Sequence, residues 1–279
     1  MPIAFAILTS DPNLLRCDLK RLEGQVQLSS DERRRAVGLG SYAQDEVLLQ
    51  RHAPDFAPRS VEELAPRHAS DALLFHAARL PPSMPLDGGT QPLRYRHWLF
   101  CMVGGLNAFP RMQAELTAEL PEYLQRTVAN DTEQEFAFAL FLKALRDVGR
   151  TDDRDLDPAL AAKLIGQTAK RLQALSAKAG AARLSSFALL ATNQRVLAAS
   201  RTGEQPLSYR LLEGTDRCEI CGLPDGNAAT EARVRAHSRR KALAIATDLL
   251  KPAGWASLED GAALAVDTHG RVHVERPGA

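Results

Sequence analysis

The stretch WLFCMVGGLNAF, residues 98–109, combines three signals that decide how this chain folds. Its first six residues are apolar without helical spacing, which predicts a buried strand. Gly104 and Gly105 follow, and adjacent glycines end regular structure. From Asn107 the sequence turns helical. The stretch therefore predicts a buried strand that passes through a glycine turn into a helix.

Strand-like segments lie on both sides of this stretch, and two long helices separate the later strands from the earlier ones. The helices are predicted from Thr132 to Val148, with Asp131 as the N-cap, and from Pro158 to about Lys178. The chain shows no alternation of strand and helix, so we predict an α+β fold with two sheets, in one domain spanning residues 1–279. The predicted strands are residues 3–8, 36–42, 46–50, 71–79, 98–103, 184–192, 196–200, 208–212, 242–246, 262–267 and 272–275.

Composition excludes several classes of function. The net charge is +1 with 25% charged residues, so no global field attracts nucleic acid or an anionic membrane. No apolar run reaches the roughly 18 to 20 residues that span a bilayer, and the first residues lack the pattern of a signal peptide. Four cysteines are too few for a disulfide framework. We therefore expect a cytoplasmic protein that binds neither nucleic acid nor a membrane.

Six segments follow one another in an order that resembles one known family. They are AVGLGSY (36–42), HAA (76–78), GTQPL (89–93), WLFCMVGGLNAF (98–109), NDTE (130–133) and ATDLL with the following Trp (246–255). They are similar to the Gly-rich strand, the His-Val-Arg strand, the Asn-x-His-Pro-Phe turn, the His-Asn-Gly stretch, the Thr-Asp-Ser-Glu helix start and the late Ala-Ser-Glu-Pro-Leu segment of the class II glutamine amidotransferases. The resemblance is to their single-domain hydrolase type, which includes the ergothioneine-pathway amidohydrolase and the yeast glutathione-degrading subunit.

The resemblance implies a fold and a chemistry. The fold is the N-terminal nucleophile hydrolase sandwich, four layers αββα with two antiparallel sheets. In the family, removal of Met1 exposes a Cys that attacks the γ-amide of glutamine or of a γ-glutamyl compound. An Asn side chain and a Gly N–H hold the oxyanion, an Arg binds the substrate carboxylate, and an Asp binds its ammonium group.

Most of these groups are replaced in this chain. Pro2 stands at the nucleophile position and has no nucleophilic side chain. Val103 stands at the position of the oxyanion Asn, and Ala78 at that of the carboxylate-binding Arg. The resemblance therefore implies that no catalytic residue is intact.

Three residues are candidate remnants of the family site. Gly104 matches the oxyanion Gly, and Asp131 matches the ammonium-binding Asp, although an N-cap role for Asp131 is the simpler interpretation. Arg79 adjoins Ala78 and would partly replace the missing Arg if the strand were shifted by one residue.

These replacements favour a protein that has lost glutaminase activity and acts as a binding or regulatory partner. We expect no cofactor, a protein partner or a homo-oligomer, and no glutamine or γ-glutamyl ligand. Two alternatives stay open. One is a residual or altered hydrolase of γ-glutamyl compounds. The other uses the secondary amine of a mature N-terminal Pro2 as a base or a carbonyl-binding group.

A CxxC motif is the remaining candidate site. Cys218 and Cys221 have zinc-knuckle spacing, and His237 is the nearest further ligand candidate. A structural zinc needs four ligands, and the sequence suggests only three, so we expect a loop with two free thiols and no metal. Cys101 and His76 are predicted to be buried core residues.

Overall fold

A computed structural model describes residues 2–28, 35–52, 58–79, 89–223 and 232–276 of the chain. This part of the chain forms thirteen strands in two antiparallel sheets, together with six α-helices. The predicted α+β class is confirmed, and so is the stacking of two sheets. Met1 and residues 80–88 lie outside the described residues.

The first sheet has seven strands in the order β11-β9-β10-β1-β4-β2-β3. Its central strand is β1, which pairs with β4 on one side and with β10 on the other. The N-terminal segment is therefore held on both sides. The strands are β1 (Ile3–Thr9), β2 (Arg35–Ala43), β3 (Glu46–His52), β4 (Ala72–Arg79), β9 (Ser208–Leu212), β10 (Ala242–Ala246) and β11 (Ala256–Ser257).

The second sheet has six strands in the order β13-β12-β8-β7-β6-β5. The segment WLFCMVGG (98–105) forms β6, which pairs with β7 and β5. The strands are β5 (Leu93–Tyr95), β6 (Trp98–Gly105), β7 (Ser186–Thr192), β8 (Val196–Thr202), β12 (Ala263–Asp267) and β13 (Val272–Glu275).

Alternation along the strands builds three apolar layers. Ala4 and Ala6 of β1 face the second sheet and share one buried cluster with Cys101 and Val103 of β6. The intervening residues, such as Phe5, face the other way. Both faces of the central strands are therefore buried, which explains why β1 and β6 are apolar runs rather than alternating ones.

Two long helices cover the outer face of the second sheet. They are α4 (Glu133–Asp147) and α5 (Pro158–Lys178), and the ring of Phe100 stacks on Phe138 with centroids 4.9 Å apart. The bounds of α5 match the prediction because Asp157 caps it and Pro158 opens it. Two shorter helices, α2 (Phe109–Glu119) and α3 (Glu122–Gln125), lead from β6 toward α4.

The outer face of the first sheet is covered by α1 (Leu15–Arg21), whose Leu15 and Leu19 join the cluster that contains Phe5. A sixth helix, α6 (Ala232–Arg239), precedes β10 and was not predicted from the sequence. Helices therefore flank both sheets, which completes the predicted αββα order. None of the helices in the described ranges has the length and apolar character needed to cross a membrane.

Candidate functional site

Pro2 lies directly before the central strand β1 and is half-buried. The next inward-facing residue, Ala4, is fixed by Thr247: its N–H donates to the Thr247 hydroxyl at 2.9 Å, and its carbonyl accepts from the Thr247 N–H at 3.1 Å. Strand alternation puts residue 2 on the same side as Ala4, toward the second sheet. The residue that the resemblance assigns to the nucleophile position is thus a half-buried proline next to a firmly bonded strand.

Val103 lies on the inner face of β6 and is fully buried. It belongs to the same inter-sheet cluster as Ala4 and Ala6. An isopropyl side chain offers no hydrogen-bond donor to an oxyanion. At this position, apolar packing between the sheets replaces the side-chain amide expected from the family.

Gly104 and Gly105 still pair with β7, so β6 runs two residues past its predicted end at Val103. Gly104 has a backbone conformation that residues with a side chain rarely adopt. Its φ is +94°, and a Cβ placed there would lie 2.2 Å from the carbonyl oxygen of Ser186. Two residues on, the backbone N–H of Leu106 donates to Glu133 Oε2 at 2.8 Å. Burial raises the pKa of Glu133, and the bond from Leu106 partly offsets this. The segment that follows β6 is thus bonded to Glu133, the first residue of α4.

Ala78 and Arg79 are the last two residues of β4. Ala78 pairs with Ala36, and the neighbouring Ala77 pairs with Ile3 of β1. Because Leu74 faces inward and Ala77 outward, Ala78 lies on the inner face and Arg79 on the outer one, where Arg79 is exposed. On this strand the Arg79 side chain therefore points away from the second sheet, whereas Ala78 points toward it.

Asp131 is exposed and has a left-handed backbone, with φ +52°. It is not the N-cap of α4, so that prediction is wrong by one residue. Thr132 is the cap: its hydroxyl accepts from the Glu135 N–H at 3.4 Å, and the Glu135 carboxylate accepts from the Thr132 N–H at 3.1 Å. Two residues after Asp131, Glu133 accepts the hydrogen bond of the Leu106 N–H, which follows β6.

A buried polar link joins the two sheets at Gln91, which the sequence analysis did not single out. The Gln91 side-chain amide donates to the Met102 carbonyl at 3.0 Å and accepts from the Met102 N–H at 2.6 Å. Its nitrogen also lies 3.2 Å from His76 Nε2, on the inner face of β4. Burial lowers the pKa of His76 to about 4. His76 is the buried core residue that was predicted, and Gln91 supplies its partner.

Comparisons with known proteins agree with this architecture. No family model and no curated protein matches the sequence. Among solved structures, a glutamine aminotransferase class-II domain protein from Silicibacter pomeroyi is 15% identical, with a TM-score of 0.58 over 99% of this chain and 98% of that one. A predicted glutamine amidotransferase from Pseudomonas aeruginosa is also 15% identical, with a TM-score of 0.56 over 97% and 98%.

A larger enzyme shares the same architecture in part of its length. Glutamine phosphoribosylpyrophosphate amidotransferase from B. subtilis is 13% identical with a TM-score of 0.53, and the match covers 98% of this chain but 49% of that one. The fold is that of the class II glutamine amidotransferases. At these identities the comparisons establish the fold, while activity has to be argued from side chains.

The positions that the resemblance assigns to the family site hold few reactive side chains in this chain. Pro2, Ala78 and Val103 offer no ionisable side chain, and Asp131 is the one carboxylate among these residues and Gly104. Cys101 is fully buried beside Val103, and burial raises the pKa of its thiol, which disfavours the nucleophilic thiolate.

A cavity of about 550 Å³ opens at the same end of the second sheet. Ser186, whose carbonyl crowds Gly104, lines it together with Arg183, Arg201, Glu204 and Asp260. Charges of both signs therefore face this space. An open cleft with charged side chains thus lies at the end of β6, where Gly105 pairs with Ser186.

A second group of reactive side chains lies away from this cleft. Cys218, Cys221 and His237 come together, and Cys17 of α1 joins them, with all four donor atoms within 4.8 Å of one another. The count of three ligands, on which the expectation of no metal depended, is therefore wrong. No sequence spacing signals the contribution of Cys17, which lies 204 positions before Cys221.

Proposed function

We propose that this chain is a non-catalytic protein with the class II glutamine amidotransferase fold, and that it acts as a binding or regulatory partner. The observation that carries the proposal is the burial of Val103 between the sheets. A donor is needed at this position to stabilise the oxyanion, and one such donor is worth about 10²- to 10³-fold in rate. Here the position is part of the core.

Two further replacements point the same way. Pro2 supplies no thiolate, so the covalent step of the family chemistry has no nucleophile. Ala78 offers no charge to a substrate carboxylate, and the exposed Arg79 faces away from the second sheet. The three replacements affect attack, charge stabilisation and substrate binding separately, so no single change restores the reaction.

The alternative proposal is a residual or altered hydrolase of glutamine or γ-glutamyl compounds. It is favoured by Gly104, which matches the oxyanion glycine of the family, and by the cleft that Arg201 and Asp260 line. A cleft with both charges suits an amino acid headgroup. The alternative needs a nucleophile or an activated water, and the candidate bases are Asp131, the amine of a mature Pro2, and the cleft carboxylates Glu204 and Asp260.

An activity assay separates the two proposals. Tag-free protein is incubated with glutamine and with γ-glutamyl peptides, and ammonia and glutamate are measured against a no-protein control and an active amidotransferase. The proposal of a non-catalytic protein predicts no release above the control. Turnover that follows the protein through purification would establish the hydrolase instead. Intact mass determines in the same sample whether Met1 is removed.

A second experiment tests the partner role. Sedimentation of the purified chain shows whether it is a monomer or a homo-oligomer, and crosslinking in its own cell shows which proteins contact it. We expect a defined complex. A chain that sediments as a monomer and crosslinks to no protein reproducibly would count against this part of the proposal.

A further inference from the structure

Four metal-ligating side chains converge between α1 and the segment that leads into β10. Their donor atoms lie within 4.8 Å of one another, and the Cys17 and Cys221 sulfurs are 3.6 Å apart. A tetrahedral zinc with bonds of about 2.3 Å to sulfur separates two sulfurs by about 3.8 Å. The geometry points to a structural Zn²⁺ site formed by Cys17, Cys218, Cys221 and His237.

The CxxC segment folds as a tight turn that brings its two sulfurs to one side. Cys218 and Leu223 form an antiparallel bridge, with N–O distances of 2.9 and 2.8 Å. Gly222 closes the turn with φ +66° and donates to the Glu219 carbonyl at 3.3 Å. A residue with a Cβ adopts this φ at a cost, so the glycine suits the turn. The turn is formed by backbone bonds and needs no metal to shape it.

The histidine is oriented as a metal ligand. His237 is buried, and its Nδ1 lies 2.9 Å from the Arg233 carbonyl, one turn earlier in α6. This bond places the proton on Nδ1 and leaves a lone pair on Nε2. Nε2 is buried and has no hydrogen-bond partner among the described residues. A backbone carbonyl on one nitrogen and a metal on the other is the usual arrangement for zinc-bound histidine.

The chemistry of the donors selects the metal. Three thiolates and one imidazole in a tetrahedral arrangement favour Zn²⁺, whereas Mg²⁺ and Ca²⁺ require oxygen ligands. The set supplies four ligands, so no position remains for water. Such a closed site is structural rather than catalytic.

Most of the charged side chains beside the cluster are positive, with Glu219 as the acidic one in the cavity next to it. Binding releases three thiol protons to solvent, so Zn²⁺ with three thiolates and a neutral imidazole carries one negative charge. Arg240 lines a cavity of about 210 Å³ together with Cys17 and Cys218, and Lys20 and Arg21 line it as well. Arg240 is buried and pairs with Asp18, yet both its terminal nitrogens lack a hydrogen-bond partner in the described ranges.

The site would join two distant parts of the fold. Cys17 follows β1 along the chain, while Cys218, Cys221 and His237 precede β10, the neighbour of β1 in the sheet. Among the described residues, the apolar cluster around Cys17 and Cys218 is small and contains Leu14, Leu223 and Val234. A zinc ion here would therefore supply a large part of the contact between α1 and α6.

Metal analysis tests the proposal directly. Protein is purified with a cleavable tag under reducing conditions, dialysed with trace zinc, and measured by inductively coupled plasma mass spectrometry together with protein concentration. We expect about one zinc per chain, released in step with thiol titration by a mercurial reagent. Co²⁺ substitution should give the intense visible absorption of a tetrahedral thiolate site.

Matched variants locate the metal. Cys17→Ser, Cys221→Ser and His237→Gln should each lose most of the zinc and melt at a lower temperature. Cys101→Ala removes a buried thiol elsewhere, and His273→Gln removes an exposed histidine; both should keep one zinc per chain.

Two results on the wild-type protein would overturn the proposal, so it does not depend on whether the variants fold. One is less than about 0.2 zinc per chain after reconstitution of fully reduced protein. The other is a Cys17–Cys221 disulfide, identified by peptide mass in protein from the cell. Zinc that stays bound in all three ligand variants would equally contradict the assignment.

Discussion

Glu133 Oε2 lies 2.8 Å from the backbone nitrogen of Leu106 and accepts its hydrogen bond. The bond connects the start of α4 to the turn after β6, and it satisfies a backbone donor where regular pairing has ended. Burial raises the pKa of Glu133, so the negative charge itself is disfavoured there. The carboxylate therefore acts mainly as an acceptor.

This bond gives the first prediction. Glu133→Ala should lower the free energy of unfolding by about 1 to 2 kcal/mol, because the Leu106 N–H loses its acceptor. Glu133→Gln keeps an acceptor and removes a disfavoured charge, so its stability should stay close to that of the wild type. Urea denaturation compares the three proteins. Equal losses for Ala and Gln would contradict the acceptor role.

Two glycines with positive φ test how much the space around Gly104 restricts substitution. Gly104→Ala places a Cβ 2.2 Å from a backbone oxygen that cannot move away cheaply, in addition to the strain of φ +94°. We expect a loss of about 2 kcal/mol or more. Gly24 has φ +68° but open space around it, so Gly24→Ala should cost only about 1 kcal/mol. Thermal unfolding of both variants checks the order.

The helix cap can be tested at adjacent positions. Thr132→Ala removes the N-cap hydroxyl of α4 and should cost about 1 kcal/mol. Asp131→Asn changes the neighbouring exposed residue while tolerating its left-handed backbone, and should leave stability nearly unchanged. Denaturant midpoints measure both. If Asp131→Asn lost more stability than Thr132→Ala, Asp131 would be the N-cap, as the sequence had suggested.

His76 should make the fold sensitive to acid. Its pKa is about 4 in the folded state and about 6.5 when unfolded, so the unfolded chain binds the proton first as pH falls. The stabilisation is present above pH 6.5 and is lost between about pH 6.5 and 4, by about 3 kcal/mol. A protonated ring would also face the Gln91 amide donor.

The check is a pH series of unfolding free energies for wild type and His76→Gln. Burial also lowers the pKa of His97, so some pH dependence should remain in the variant. The difference between the two proteins isolates His76. His273→Gln, at an exposed position, should follow the wild-type curve. Parallel curves for wild type and His76→Gln would contradict the prediction.

Catalytic rescue should need several substitutions together. Pro2→Cys alone restores a nucleophile but leaves no donor at Val103, worth about 10²- to 10³-fold, and no cation at Ala78, worth about 1.5 to 3 kcal/mol. We expect it to stay roughly 10³- to 10⁵-fold below an active relative. Pro2→Cys with Val103→Asn and Ala78→Arg should be faster, as measured by glutamate release.

Stability must be followed in the same proteins. Val103 is fully buried, so Val103→Asn should cost about 1 to 3 kcal/mol through burial of an amide. The comparison is valid only at temperatures where both variants are folded. If Pro2→Cys alone matched the triple variant, the replacements would not be independent.

Local signals account for what could be predicted from the sequence. Asp157, Pro158 and an apolar face define α5, and its bounds were predicted within a residue. The cap of α4 was misplaced because Asp and Thr are both good N-caps, and only the capping box with Glu135 decides between adjacent positions. The helix α6 was missed because it is largely charged and buries Val234 and His237 alone within its span.

Contacts between distant segments could not be predicted. Gln91 resembled a turn residue, and only the stacking of the sheets brings it between His76 and Met102. Cys17 has no sequence spacing that links it to the CxxC motif, and the pairing of β1 with β10 brings α1 to the CxxC turn. Such constellations depend on topology, which periodicity does not encode.

The position of β1 has a consequence for how the chain is made. Ala4 bonds to Thr247, 243 positions later, so the second neighbour of the central strand leaves the ribosome long after β1 itself. At about 5 to 20 residues per second, this is a delay of about 12 to 50 seconds. During that time an apolar strand has one open edge, the form in which strands pair with other chains. Lower growth temperatures and abundant chaperones should therefore raise the yield of folded protein. They should raise it more than substitutions that stabilise the folded state.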